Sequence, residues 1–369
     1  MLLPALRHEL SFWHGRSRLV GDLVLPPTSG PHPVVLVVGE PDATERDYSC
    51  WLDGMAEAGF ACFTWDRGDL DRSSTDPVRR VADQAREVLA ALGRVSCLPD
   101  LDVSAVALVG WGEGGWAAAQ AATFSNRIGA LVLASTPTVA PASLVEHRTV
   151  RRLRDAGHAG SDVATARDVV RRRIEAVLAG RDVGELDALA EGHRHEPWYQ
   201  ALRSVEGADR PVAEDLPADP LPTLSAVAVP VLALFGEQDP TLPLEESVRG
   251  VRAALREAGH DDHQVAVVRG ADRLLRVRPA HGLGCQVDGR HQFGEWPPGL
   301  TAVIADWLAA RICGPDDLPA FVPPPGPGSA GSIADGAPGS PSRSPGVAEA
   351  WREVRPLLPV RQVRRRISR

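Results

Sequence analysis

The chain has 369 residues, of which 44% are hydrophobic, so it is long enough for one large core and a smaller insertion. Its formal net charge of -8 argues against a folded body that binds nucleic acid by counterion release. Five irregularly spaced cysteines favour free thiols in a reducing compartment over a disulfide framework. The N-terminal apolar stretch is interrupted by Arg7, His8 and Glu9, which is typical of neither a signal peptide nor a membrane span. We therefore expect a cytoplasmic protein with no membrane span.

Strand and helix patterns alternate from residue 9 to about residue 135, which predicts a parallel sheet with crossover helices. An antiparallel pair opens the series, at Leu10–Trp13 and Arg18–Leu25. Continuous apolar runs then predict strands that are buried on both faces. These runs are PVVLVVG, FACFTWD, VSAVALVGW and IGALVLAST. The best-marked helix starts after Asp76, a suitable cap, with Pro77 at its first position.

The character of the sequence changes at residue 141, where a strongly charged helical segment begins. Its place between two sheet strands predicts a helical cap over residues 141–224. The strand and helix patterns then resume, so residues 1–140 and 225–313 together form the predicted core.

Residues 314–346 are rich in Pro, Gly and Ser, a composition that predicts a flexible linker. The tail, residues 347–369, carries seven arginines and two glutamates. Such a charge could attract an acidic partner or surface, although a solvated terminus is the more common outcome.

The stretch LVGWGEGGWAAAQ, residues 108–120, places closely spaced glycines between an apolar run and an alanine-rich helix. Around it stand RLVGDLVLPP, PHPVVLVVG, LFGEQDPTLP and VVRGAD, in that order along the chain. Over residues 9–312 this combination resembles the α/β-hydrolase superfamily, most closely its bacterial dienelactone-hydrolase and acyl-peptidase-like branch. The resemblance implies an α/β fold: a mostly parallel sheet with helices on both faces and an inserted helical cap.

In that family the nucleophile, the acid and the histidine lie on three successive loops at the carboxyl edge of the sheet. The resemblance implies that Asp239 is the acid. It places Gly112 at the position of the nucleophile and Arg273 at that of the histidine. An arginine stays protonated near neutral pH and cannot shuttle protons. We expect that the glycine turn persists for mechanical reasons, since glycine adopts a strained turn freely.

The loop that would supply oxyanion donors is also altered, because it reads Gly39-Glu40-Pro41. Proline has no N–H to donate, and a glutamate would oppose a developing negative charge. The N–H of Glu113, next to the turn, remains as a donor. The Glu113 side chain allows two interpretations, a general base in the pocket or a helix first-turn acid, and the second is more common.

Two interpretations of Arg273 stay open. We favour a salt bridge with Asp239, and the alternative is a clamp on a carboxylate or enolate ligand. Trp111, beside the turn, is a ligand-contact candidate, although packing against the sheet or cap is the more common role. His281 or His291 could supply a relocated base.

The loop that holds His281 and His291 also contains Cys285 and Asp288, but their spacing is not a zinc signature. We expect no metal and no cofactor.

Three functions follow as hypotheses. The first is a non-hydrolytic pseudoenzyme or catalyst that binds a small molecule. The second is an active hydrolase of esters or related acyl compounds that uses Asp239 with His281 or His291. The third is a scaffold or interaction protein.

Overall fold

The computed structural model of the protein describes residues 5–40, 48–66, 77–181, 191–200, 219–277, 285–287, 291–293, 296–297, 299–313 and 354–356. Eleven strands lie in this part of the chain: β1 Leu6–His14, β2 Ser17–Leu25, β3 His32–Val38, β4 Ala61–Trp65, β5 Leu101–Trp111, β6 Ile128–Ala134, β7 Val231–Gly236, β8 His263–Val268, β9 Cys285–Val287, β10 His291–Phe293 and β11 Val354–Pro356. Nine of them form one sheet in the order β1-β2-β4-β3-β5-β6-β7-β8-β11. Strands β3 to β8 run parallel, whereas β1, β2 and β11 pair in antiparallel fashion with their neighbours.

Helices connect the parallel strands and cover both faces of the sheet. They are α1 Ser49–Glu57, α2 Pro77–Val95, α3 Gly114–Phe124, α4 Pro141–Asp155, α5 Gly160–Leu178, α6 Leu221–Ser225, α7 Leu244–Glu257 and α8 Leu300–Ile312. Alternate residues of β3 belong to opposite cores: Leu36 packs on the side of α2, α3 and α7, and Val35 on the side of α1 and α8. This alternation follows from the period of two in a strand. The predicted α/β architecture is therefore confirmed.

The elements predicted for the core are found within a few residues of the expected positions, and the opening antiparallel pair is longer than expected. Asp76, the predicted cap of α2, lies outside the described residues. The segment that sequence reasoning treated as an irregular loop after β8 contains an antiparallel pair, β9 and β10. Three residues of the predicted tail form β11 and pair with β8.

Helices α4 and α5 are inserted between β6 and β7, where the sequence predicts the cap. Together with residues 198–199 they form a small separate hydrophobic cluster, made of Leu153, Val163, Ala166, Val170, Trp198 and Tyr199. Among the helices that the structure describes, none has a stretch long and apolar enough to cross a bilayer. The described cysteines Cys62, Cys97 and Cys313 are free thiols.

Candidate functional site

The glycine turn lies at the carboxyl end of the central strand β5, directly before α3. Gly112 has a φ of +50°, a left-handed conformation that residues with a Cβ rarely adopt. Its N–H donates to the carbonyl of Ala134 at 2.9 Å, and its carbonyl accepts from the N–H of Gly115 at 3.1 Å. A Cβ on Gly110 would lie only 2.8 Å from the Gly115 nitrogen. The glycines thus allow α3 to approach the sheet closely, which is a mechanical reason for the motif.

The side chain of Glu40 fills the space above this turn. Glu40 follows β3 on the neighbouring strand, and its side chain is 14% exposed. A Cβ added to Gly112 would overlap the Oε1 and Cδ atoms of Glu40 and lie 2.8 Å from its Cγ. A carboxylate therefore stands beside the tip of the turn, where the resemblance puts the nucleophilic side chain.

Arg273 pairs with this carboxylate. Its Nη2 atom forms an ion pair with Oε1 of Glu40, and burial lowers the pKa of Arg273 to about 10, so the guanidinium remains charged at neutral pH. The favoured prediction of an Arg273–Asp239 salt bridge is wrong, because the structure pairs Arg273 with Glu40 instead. The alternative, a clamp on a ligand carboxylate, stays a prediction, because this pair engages only Nη2 of the guanidinium.

Asp239 lies on the loop after β7, with only 8% of its surface exposed. Its Oδ1 atom accepts from the backbone N–H of Thr241 at 2.8 Å and from the Thr241 hydroxyl at 2.6 Å. Its Oδ2 atom is buried without a hydrogen-bond partner among the described residues. Burial raises the pKa of Asp239 to about 6, although the Thr241 bonds and the charge of Arg148 oppose that rise.

Arg148 connects helix α4 to both sides of the site. Its Nη2 atom lies 3.2 Å from Oε1 of Glu113, and its Nε donates to the carbonyl of Thr241 at 3.0 Å. Sequence reasoning missed Arg148, because it is one of many arginines in a charged helix. The carboxylate of Glu113 is held by Arg148 of α4. This ion pair matches neither of the two interpretations of Glu113, a free general base or an acid that only stabilises the helix end.

Trp111 is buried in the core beside the glycine turn. It is 1% exposed and packs in an aromatic cluster with Tyr48, Trp51 and Trp296. Its packing role is the one observed, and a ligand contact by Trp111 stays a prediction. It lies on the α1 and α8 side of the sheet.

The altered oxyanion loop lies against the same cluster. A Cβ on Gly39 would lie 3.0 Å from the Tyr48 ring, and the Glu40 N–H donates to the Tyr48 hydroxyl at 3.4 Å. The Tyr48 hydroxyl therefore competes with an oxyanion for this N–H, through a long hydrogen bond. The N–H of Glu113 has no hydrogen-bond acceptor within the part of the chain that the structure describes.

Several candidates are not tested by the geometry. Pro41 and His281 lie outside the described residues, and only the backbone of His291, in β10, is described. Within the described ranges, no three His, Cys, Asp or Glu side chains converge in a way that could hold a metal ion.

A residue that sequence reasoning did not single out stands out in the backbone. Ser135, directly after β6, has a φ of +48° without being a glycine, and it is 2% exposed. Its hydroxyl is buried without a hydrogen-bond partner among the described residues. No sequence signal marks it, because Ala-Ser-Thr after an apolar strand is ordinary.

Comparison with known proteins supports the architecture. A model of the family described as esterase FrsA-like matches residues 2–151. The structure of DcsB in complex with its substrate analogue is 17% identical over 84% of this chain and 100% of that one, with a TM-score of 0.50. The acylaminoacyl peptidase of Pyrococcus horikoshii is 15% identical, with a TM-score of 0.48, over 74% of this chain, which spans 38% of the peptidase chain.

A dienelactone hydrolase from Anabaena variabilis is 14% identical over 84% of this chain and 100% of its own, with a TM-score of 0.45. The sequence matches none of the curated proteins with which it was compared. At these identities the structural likeness shows the fold alone, and the predicted resemblance to α/β-hydrolases is confirmed.

Proposed function

Because this chain is an α/β-hydrolase-fold protein whose residues 2–151 match the FrsA-like esterase family, we propose that its site has exchanged ester hydrolysis for the binding of a small organic molecule. One observation carries the proposal: the carboxylate of Glu40, held by Arg273, occupies the space at the tip of the glycine turn.

A serine-type mechanism needs an attacking oxygen at the tip of the turn and N–H donors that face the developing oxyanion. Gly112 supplies no side-chain oxygen, and Arg273 cannot accept the proton that an attacking water or hydroxyl must lose. A carboxylate at the same place opposes the negative charge that develops in acyl transfer. Loss of such a group typically lowers the rate by several orders of magnitude.

The two exchanged groups also compensate each other. A lone glutamate beside the turn would bury an unpaired charge, and a lone arginine would do the same. Together Glu40 and Arg273 form one neutral pair. The fold therefore tolerates a glutamate beside the turn and an arginine at the position of the histidine. This compensation favours a rebuilt site over a site that has decayed at random.

The hydrolytic alternative is tested by turnover and by covalent labelling. We expect no hydrolysis of short-chain p-nitrophenyl esters above that of the Asp239→Asn variant, and no adduct with a fluorophosphonate probe by intact-protein mass spectrometry. Turnover that Asp239→Asn abolishes would show an active hydrolase with a relocated base. An adduct mapped to Ser135 or to another hydroxyl would also overturn the proposal.

A pair of matched variants tests whether Glu40 blocks the space that a nucleophile at position 112 would need. The double variant Gly112→Ser with Arg273→His restores the nucleophile and the base, but Glu40 still overlaps the serine. We expect it to react poorly with the fluorophosphonate, whereas the further change Glu40→Gly should raise labelling by at least about tenfold, which corresponds to about 1.4 kcal/mol of barrier. Equal labelling of the two variants would contradict the role assigned to Glu40.

A further inference from the structure

Two buried polar groups at the carboxyl edge of the sheet have no partner among the described residues. They are the Oδ2 atom of Asp239 and the hydroxyl of Ser135. Both side chains are more than nine-tenths buried, at 8% and 2% exposure. A buried polar atom without a partner costs about 1–3 kcal/mol, so a ligand that completed these two would recover that cost.

The two residues lie on neighbouring strand ends. β6 and β7 are paired in parallel, with Ala134 beside Leu234. The N–H of Ser135 donates to the carbonyl of Leu234 at 2.7 Å, and the N–H of Asp239 lies 3.4 Å from the carbonyl of Gly236. Adjacent parallel strands are about 5 Å apart, so both residues emerge at the same corner of the sheet edge.

The backbone of Ser135 provides an independent sign. A non-glycine residue with a φ of +48° is strained by about 1–3 kcal/mol, and such residues cluster at functional sites. The short hydrogen bond to Leu234 holds the residue in this conformation. The strain therefore fixes the direction in which the Ser135 side chain leaves the sheet edge.

The charges around Asp239 and Ser135 indicate whether this part of the sheet edge would bind an anion or a cation. The charged groups that act on Asp239 are Arg148, which pairs with Glu113, and Asp272, which pairs with Arg276. Asp239 is the acid without a salt-bridge partner among the described residues of the site. An anionic ligand would meet this carboxylate and two neutralised guanidinium groups, whereas a cation would gain a partner.

Resting on the small-molecule binding proposed above, we propose that Asp239 and Ser135 form the polar end of a site for a small organic ammonium ion. Its N–H groups donate to Oδ2 of Asp239 and to the Ser135 hydroxyl oxygen. In this arrangement the ligand nitrogen supplies the donor that the acid lacks in the structure. Arg148 of α4 donates to the carbonyl of Thr241 and so holds this helix against the loop of Asp239.

The test compares three probes of nearly the same shape: n-butylammonium, 1-butanol and butanoate. Their dissociation constants for the full-length protein are measured at pH 7.5 by protein-observed NMR. We expect n-butylammonium to bind at least about tenfold more tightly than either of the others. Equal affinities, or a preference for butanoate, would overturn the proposal.

The pH dependence of ligand affinity is a second test on the same protein. The ammonium stays charged throughout the range, whereas Asp239 takes up a proton as the pH falls through about 6. Between pH 7.5 and pH 5 we expect the affinity for n-butylammonium to fall by about tenfold, and that for 1-butanol to stay constant. A pH-independent preference for the ammonium would assign it to another site.

Three variants distinguish specific binding at Asp239 and Ser135 from a general effect of the protein's net charge. Asp239→Asn is expected to remove the preference for the ammonium, and Ser135→Ala to weaken it about threefold or more. Glu246→Gln, which removes an exposed carboxylate at the start of α7, is the matched control and should change nothing. If Asp239→Asn fails to fold, the Ser135→Ala and pH measurements still decide. Ester turnover and fluorophosphonate labelling are independent of these results, so failure here leaves the proposed loss of hydrolysis standing.

Discussion

The buried acid Asp239 should make the protein less stable as the pH rises, the opposite of the usual behaviour of an aspartate. The perturbation is Asp239→Asn, which keeps the size of the side chain and its oxygen acceptor for Thr241 but cannot ionise. Burial raises the pKa of Asp239 from 3.8 to about 6. The folded state therefore binds this proton more tightly than the unfolded state.

The magnitude follows from the two pKa values. A shift of one pKa unit corresponds to about 1.4 kcal/mol, so the rise in the pKa of Asp239 from 3.8 to about 6 amounts to about 3 kcal/mol. Below pH 3.8 the acid is protonated in both states and the contribution is fully present. As the pH rises to 6, the unfolded state ionises first and the contribution is lost. Above pH 6 the folded protein carries the full cost of a buried carboxylate.

Urea denaturation at pH 4, 5, 6 and 7.5 measures the difference in unfolding free energy between the wild type and Asp239→Asn. Relative to the wild type, the variant should become more stable by about 2.4 kcal/mol between pH 4 and pH 7.5, because only the wild type ionises and about 0.6 kcal/mol of the effect is already lost at pH 4. Glu246→Gln serves as the control for removal of an exposed carboxylate. A constant difference between the two proteins, or a wild type that gains with rising pH, would refute the assignment of Asp239 as a desolvated acid.

Three further outcomes follow from the same contacts. Gly112→Ala should lower the unfolding free energy by about 3 kcal/mol in the wild type but by only about 1–2 kcal/mol in a Glu40→Ala background, measured by urea denaturation, since the second protein keeps only the backbone strain. Arg273→Met should cost about 2 kcal/mol by leaving Glu40 unpaired, and Glu40→Gln should recover part of it in the double variant; additive losses would speak against the pair. Arg148→Met should raise the pKa of Asp239 further, as read by NMR titration of its carboxyl carbon, and a lowered pKa would contradict the field assigned to Arg148.

Much of the fold was predictable, because apolar runs and helical periodicity depend on local sequence. The strands β3 to β8 and the glycine turn at Gly112 are in the expected places. The ion pair of Glu40 and Arg273 was not predicted, although both residues had been singled out. They are more than two hundred positions apart, and the family resemblance supplies Asp239 as the expected partner of whatever stands at position 273. Arginine is longer than histidine, so its charged end can reach a different acid.

Two other features of the site leave no trace in the sequence. Arg148 belongs to a helix with many arginines, and only packing determines which of them turns towards Glu113. Ser135 follows an ordinary apolar strand, and only its positive φ and its unpartnered hydroxyl distinguish it. Side-chain direction and backbone strain at strand ends depend on tertiary contacts, which periodicity cannot report.

The loss of stability caused by ionised Asp239 bears on whether Asp239 and Ser135 bind a ligand or are only left over from a hydrolase site. A chain that kept the fold only as a scaffold would gain stability at neutral pH by exchanging this acid for asparagine, because asparagine avoids the cost of a buried carboxylate. A bound ammonium offsets the cost, because a ligand at one hundred times its dissociation constant stabilises the folded state by about 2.7 kcal/mol, close to the penalty of the buried carboxylate. Saturating n-butylammonium at pH 7.5 should therefore raise the midpoint of thermal unfolding of the wild type and leave that of Asp239→Asn unchanged. Equal shifts in the two proteins would assign the acid to the architecture alone, since the ligand would then be stabilising the fold without Asp239.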